Sequence, residues 1–238
     1  ITEIRETEKY YKLPKKNLFR DGYRPLEYLI NESLTFSNAS SDKLKILIAP
    51  SWGENNILEH CINELLENLI ESGNEIFLRP HPMTLRNNKN QIEDLKLKFL
   101  NKKNFNLQEN HADRSILFES DILITDWSGI GIEYGLGLLK PILYINVPKK
   151  NFNPEYRKIN IIPMEVSVRS EIGKVVEIKD ICNINKIILE TMNLYKKDNI
   201  LKIRDKYVYM KENGLNKAAK RVVSIANSSR LRNKEIDK

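Results

Sequence analysis

Residues Thr125-Asp126-Trp127-Ser128-Gly129-Ile130-Gly131-Ile132-Glu133-Tyr134-Gly135 follow the short apolar run Asp121-Ile122-Leu123-Ile124 and lead into a segment with helical spacing. A strand that ends in a small, Gly-rich polar turn and then opens a helix exposes unpaired backbone N–H groups and the positive end of a helix dipole. Such a turn is a ready site for phosphate. Without a Cβ, Gly129 and Gly131 would let an anion approach the backbone closely. Ser128, Gly129, Ile130 and Gly131 are therefore predicted to cradle a diphosphate. Glu133, one turn into the helix, either accepts hydrogen bonds from ribose hydroxyls or caps the helix start. Asp126 is expected to brace the turn.

Two other predicted strand ends carry polar groups suited to the same ligand. The first reads Ala49-Pro50-Ser51-Trp52-Gly53, the second Arg79-Pro80-His81-Pro82. The prolines on either side of His81 fix the local backbone and hold the imidazole at the sheet edge. From there it can donate to a phosphate or serve as general acid for a leaving group. Arg79 either pairs with a phosphate or forms a structural ion pair. Ser51 and Trp52 are nucleotide-contact candidates, with Trp52 either packing a base or sealing the core edge. His60 reads as structural, and His111 falls in a loop.

The elements that must position these residues alternate. Strands are predicted at Lys45–Ala49, Glu75–Arg79, Phe105–Leu107, Asp121–Ile124, Pro141–Ile145 and Val175–Ile178. Helices are predicted over Asn56–Ser72, closed by Gly73, then Asn90–Leu100, Arg114–Glu119, Ile130–Leu139, Ile181–Tyr195, Ile200–Met210 and Leu215–Ala226. Strand and helix alternating at this spacing specify right-handed βαβ units and an α/β, doubly wound parallel sheet of Rossmann-like type. In such sheets ligands bind beyond the carboxyl ends of the strands, near the switch in strand order. Residues 1–40 do not join the pattern, being charged, Tyr-rich and broken by Pro14 and Pro25.

The 238-residue chain is 30% charged and 41% hydrophobic, the balance of a soluble globular protein. No apolar run approaches the roughly 18 residues a membrane span needs. Cys61 and Cys182, isolated and without CxxC spacing, point to a reducing, cytoplasmic compartment and no metal. There is no Walker A sequence, no GxGxxG and no GxSxG, and no cofactor is expected. Lys and Arg exceed Asp and Glu by 39 − 32 = +7. Seven basic residues against two acidic ones lie between Gly214 and Lys238. That excess favours anionic partners in general, or forms a solvated helix end.

Taken together, Ala49-Pro50-Ser51-Trp52, Arg79-Pro80-His81-Pro82, Thr125-Asp126-Trp127-Ser128-Gly129 and Lys140-Pro141-Ile142-Leu143-Tyr144 resemble the CDP-glycerol glycerophosphotransferases of teichoic acid and capsule synthesis. The likeness is to their C-terminal, donor-binding half, a GT-B domain, and covers about residues 44–225. Trp127 stands where that family has Tyr, and Gly129 where it has Ser. Ser128-Gly129 with Glu133 also looks like the motif of UDP-GlcNAc 2-epimerases, which leaves CDP and UDP both open. The resemblance implies a transferase binding a CDP-glycerol-like donor, with His81 catalytic at the phosphate and a lipid-linked or polymer acceptor. It implies a cytoplasmic enzyme with peripheral contact at an anionic membrane and no specific nucleic acid partner. A nucleotide-sugar (UDP or CMP) glycosyltransferase or epimerase-like GT-B domain and a non-catalytic anion-binding or assembly module are the alternatives. Lys16–Ile30 resembles the segment that closes the family's N-terminal half. The expected organisation is therefore the end of that half and a linker over 1–40, a donor domain over 41–228, and a basic tail over 229–238. Transfer would then require an acceptor-binding half and its base from outside this chain.

Overall fold

Ile46 to Ala49, Ile122 to Thr125 and Ile142 to Ile145 are buried without interruption, so these segments lie inside a sheet covered on both faces. The computed structural model describes residues 2–19, 22–36, 42–151, 153–159, 161–209 and 219–227. Helices α1 (Thr2–Tyr10) and α2 (Arg24–Ser33) precede the sheet. Its strands are β1 (Lys45–Ala49), β2 (Glu75–Leu78), β3 (Phe105–Leu107), β4 (Ile122–Thr125), β5 (Ile142–Ile145) and β6 (Lys174–Val176). All pair in parallel, in the order β3-β2-β1-β4-β5-β6. The order reverses between β1 and β4, which makes their carboxyl ends the crevice of this doubly wound sheet.

The period-two alternation of a strand sends neighbouring residues into different layers. Ile46 and Ile48 pack on one face with Ile76, Leu78, Ile122 and Ile124. That face is covered by α3 (Ile57–His60), α4 (Ile62–Glu71), α5 (Pro82–Asn87) and α6 (Lys89–Phe99) together with a later helix. Leu47, Ala49, Leu123 and Tyr144 face the other way. There they meet α7 (Ser115–Glu119), α8 (Ile130–Glu133), α9 (Met164–Ser167) and α10 (Arg169–Ile172). Helix α11 (Ile184–Leu194) returns to the first face and α12 (Lys197–Tyr207) to the second. No helix among the described residues is long and apolar enough to cross a membrane.

Several predicted boundaries shift for identifiable reasons. The helix read over Asn56–Ser72 is two, because Cys61 takes φ −156° and ψ 10°, which breaks the turn between α3 and α4. Gly73 closes α4 with φ +78°. The helix read over Ile130–Leu139 is α-helical only to Glu133, continues as a π-turn over Tyr134–Leu138, and ends at Leu139 in the left-handed region. Strand β6 stops at Val176, and a 3-10 stretch, Ile178–Asn183, leads into α11. The last predicted helix is present over 219–227, while its start, Arg20 and Asp21 of the Lys16–Ile30 segment, and the tail 229–238 lie outside the described residues. Within the stretch read as a linker, α2 places Leu26 and Leu29 at 0% exposure in the second core layer.

Gly131 owes its identity to packing. A Cβ there would lie 2.7 Å from Tyr144 Cε1 and 2.8 Å from its Oη. Tyr144 is itself buried, so it has no room to retreat. At Gly129 the same position meets nothing within 4 Å. We therefore expect Gly131→Ala to cost about 1–3 kcal/mol through overpacking, and Gly129→Ala to be neutral or slightly stabilising because it stiffens a helix start. Urea midpoints of the two variants check this, and equal midpoints would refute the packing argument.

Candidate functional site

A buried carboxylate organises the crevice. Asp126, 0% exposed, accepts from Ser51 N and Ile57 N, both at 2.9 Å. It thereby joins the end of β4 to the whole loop after β1. Ser51 is buried as well, and its hydroxyl accepts from Lys150 Nζ at 2.7 Å. The same ammonium donates to the Trp52 carbonyl at 2.5 Å. Ser51 and Asp126 thus form the wall behind the crevice, and Gly131 lies beneath the turn against Tyr144.

In front of that wall is a cavity of about 270 Å³. Four strand ends contribute to it: Pro50 after β1, Arg79 and His81 after β2, His111 and Arg114 after β3, and Ser128, Ile130 and Glu133 after β4. The amides of Gly131 and Ile132 are spent on the Ser128 and Gly129 carbonyls. Those of Ser128, Gly129 and Ile130 have no protein acceptor among the described residues, as expected for the first turn of a helix. Gly129 also borders a smaller recess of about 30 Å³ with Tyr144 and Arg169.

His81 is the N-cap of α5, a helix the sequence reading did not anticipate. Its Nδ1 accepts from Met83 N at 3.1 Å, and Pro82 supplies a preset φ at the first helical position. That hydrogen bond occupies the Nδ1 lone pair, so the neutral ring carries its proton on Nε2, an assignment made from the bonding pattern. Partial burial and then the Lys150 charge hold His81 below the ordinary histidine range. The ring is therefore a neutral hydrogen-bond donor rather than a charged acid. Trp52, 48% exposed, stands beside it with ring centroids 5.9 Å apart and planes 27° from parallel.

Arg79 is committed to the protein. Its Nη1 donates to Gln108 Oε1 at 2.8 Å and the Asp113 carbonyl at 2.7 Å, and its Nη2 to the His111 carbonyl at 3.2 Å. It shapes the cavity wall by fixing the loop after β3. His111, carried on that loop, is also held below its usual range, by burial and then by the Arg79 charge. Glu133 accepts from Tyr23 Oη at 2.8 Å, a bond 110 positions apart in sequence. Burial and that carboxylate push the Tyr23 phenol up to about 12. Arg114 pairs with Glu32 at 3.0 Å and lies 5.4 Å from the Tyr28 ring centroid, which ties α2 to the cavity rim.

Sequence reasoning did not single out Arg114, Lys150, Tyr23 or Arg169 as site residues: Tyr23 belongs to the Lys16–Ile30 segment, the other three lie outside the motifs, and all four are brought in by tertiary packing. Arg169, 5% exposed, lies 3.7 Å from the Trp127 ring centroid and 5.0 Å from that of Tyr144. With Trp127 Nε1 bonded to the Val147 carbonyl at 3.0 Å, it fixes the turn from below.

Both cavity histidines have folded-state values below the unfolded value of about 6.5, so the unfolded chain binds more protons below that pH. Their contribution to stability is complete above about pH 6.5 and falls as the pH drops below it. The double variant His81→Asn/His111→Asn, in which Asn preserves the cap, should show a flatter fall in melting temperature between about pH 7.5 and 5.5. An unchanged slope would show that both rings titrate normally.

Among solved structures, the chain is similar to the wall teichoic acid polymerase TagF, at 20% identity and TM-score 0.48 over 87% of this chain and 47% of that one. It is similar to the UDP-GlcNAc 2-epimerase of Methanocaldococcus jannaschii at 13% identity and TM-score 0.49, covering 81% and 55% of the two chains. The ADP-heptose lps heptosyltransferase II of E. coli matches at 15% identity and TM-score 0.41, covering 82% and 57%. The chain thus spans about half the length of these structures. Among curated proteins there is no match. The sequence pattern of one family matches residues 8–225, nearly the whole chain and every strand end described above. The chain belongs to the CDP-glycerol:poly(glycerophosphate) glycerophosphotransferase family.

Proposed function

We propose that this chain binds the nucleotide donor of a glycerophosphotransferase, a CDP-linked polyol phosphate, for transfer of the polyol phosphate to a cell-surface polymer. The observation that supports this most directly is the cavity where His81, the Ser128–Ile130 amides and Glu133 converge at the switch in strand order. The donor diphosphate lies on the Ser128–Gly131 turn, and the ribose hydroxyls reach Glu133, whose carboxylate Tyr23 holds in place. The exposed face of Trp52 offers a platform for the base.

In the transfer, an acceptor hydroxyl gives its proton to a general base and its oxygen attacks the phosphorus that bears the polyol. The bond to the bridging oxygen breaks, and CMP leaves with the electron pair. A phosphate monoester has a second pKa near 6 and leaves without needing a proton. A neutral Nε2–H on His81 is therefore the right group: it hydrogen-bonds the growing charge, and the turn amides do the same. Arg79 acts in this scheme through the loop it fixes. The acceptor is a polymer or its lipid-linked form, met at an anionic membrane face by the basic C-terminal segment.

Calorimetry with CDP, UDP, CMP and NAD tests the donor assignment. CDP or UDP should bind, NAD should not, and a nucleotide at one hundred times its Kd should add about 2.7 kcal/mol of stability. If millimolar CDP and UDP both leave the melting temperature where it was, the crevice is not a nucleotide site. His81→Asn keeps the helix cap and removes the Nε2 donor, so it should weaken CDP binding about tenfold with little change in stability. Undiminished CDP affinity in that variant would remove His81 from the site.

A further inference from the structure

Backbone amides and neutral imidazoles carry no net charge, whereas a nucleoside diphosphate brings two or more negative charges into the crevice. The cations around it differ in what they have left to offer. Arg79 is bonded to Gln108 and two carbonyls, Arg114 is paired with Glu32, and Arg169 lies buried against Trp127. Lys150 is not itself a lining residue of the cavity; it is half-buried on the Ser51–Trp52 turn that follows the lining residue Pro50, and among the described residues its bonds go to the neutral Ser51 hydroxyl and Trp52 carbonyl. No carboxylate among the described residues stands within ion-pair distance of it.

We propose that Lys150 is a phosphate-binding residue of this site, its ammonium held by Ser51 and Trp52 to meet the diphosphate of the bound nucleotide. The inference rests on the nucleotide-binding reading above and adds to it a residue outside the three strand-end motifs. An ammonium has three N–H donors, and the two contacts leave one for a ligand oxygen. Pinned at two points, the side chain has already given up much of the rotamer freedom that a free surface lysine would lose on binding. Burial lowers the Lys150 pKa, the sign of an ammonium short of solvent, and the charges of Asp126 and Glu59 offset that only in part. Trp52, whose carbonyl holds the Lys150 ammonium, stands beside the cavity-lining His81 ring, and the Lys150 charge reaches that ring. Lys150 bridges the loop after β5 to the loop after β1, across the point where strand order reverses. In the sequence it is the second of two adjacent lysines after Pro148 and reads as solvated loop.

Calorimetric titration of the full chain with CDP, CMP and cytidine tests the proposal. Lys150→Met should lower CDP affinity about tenfold or more, CMP affinity by less, and cytidine affinity not at all. Lys150→Arg should restore much of the loss. Lys149→Met, with the same change in net charge at an exposed neighbour, should bind CDP like the parent chain. The salt dependence of CDP binding should also weaken in Lys150→Met alone. A loss of equal size for cytidine would show that Lys150 acts by shaping the Ser51–Trp52 turn, and would overturn the proposal. Equal effects of Lys149→Met and Lys150→Met would overturn it in favour of bulk charge. If the parent chain binds none of the three ligands, the nucleotide reading fails and this inference with it; an unaffected Lys150→Met beside a binding parent removes only the inference.

Discussion

The Asp126 carboxylate is the contact on which the crevice depends. At a switch in strand order the polypeptide leaves β1 and β4 in opposite directions, and no ladder hydrogen bond joins the two departing loops. Asp126 supplies the missing link, taking one amide from Ser51 and another from Ile57 while fully buried. A buried carboxylate is tolerated only when its oxygens are answered, and here two backbone donors at 2.9 Å answer them. The same contacts fix the start of α3, the burial of Ser51 and, through Ser51, the position of Lys150.

The sheet was legible from sequence because its strands are short apolar runs stopped by Pro50, Pro80 and the polar turn at Asp126, and those stops are local chemistry. The element edges that differ are the ones decided by tertiary packing. Nothing in the spacing of Ile57, Leu58, Cys61 and Leu65 announces the break at Cys61. The π-turn at Tyr134–Leu138 lies where α2 presses Leu26 and Leu29 onto the second face, and α2 itself lay in a stretch whose prolines and charges masked two core leucines.

The candidate site divides the same way. Residues at strand ends, such as His81, Ser128 and Glu133, could be found because topology alone delivers them to one rim. Their individual roles could not. Gly131 is small because of Tyr144, and Arg79 holds a loop. Tyr23 reaches Glu133 across 110 residues. Lys150 and Arg114 arrive on loops with no periodic signal at all. A motif locates a crevice, while the electrostatics inside it come from side chains that folding imports from elsewhere.

Arg79 has one more consequence, and it concerns time rather than affinity. All three of its hydrogen-bond partners are neutral groups, so its geometry is satisfied while its charge is offset only in part, by the field of the Asp113 carboxylate. A fixed positive charge in a concave wall of low dielectric focuses field lines outward through the mouth. Anionic metabolites diffusing past would be drawn inward and captured more often than their concentration dictates, and the gain would fade as ionic strength rises. A residue that never touches its visitor can in this way still govern how frequently one arrives.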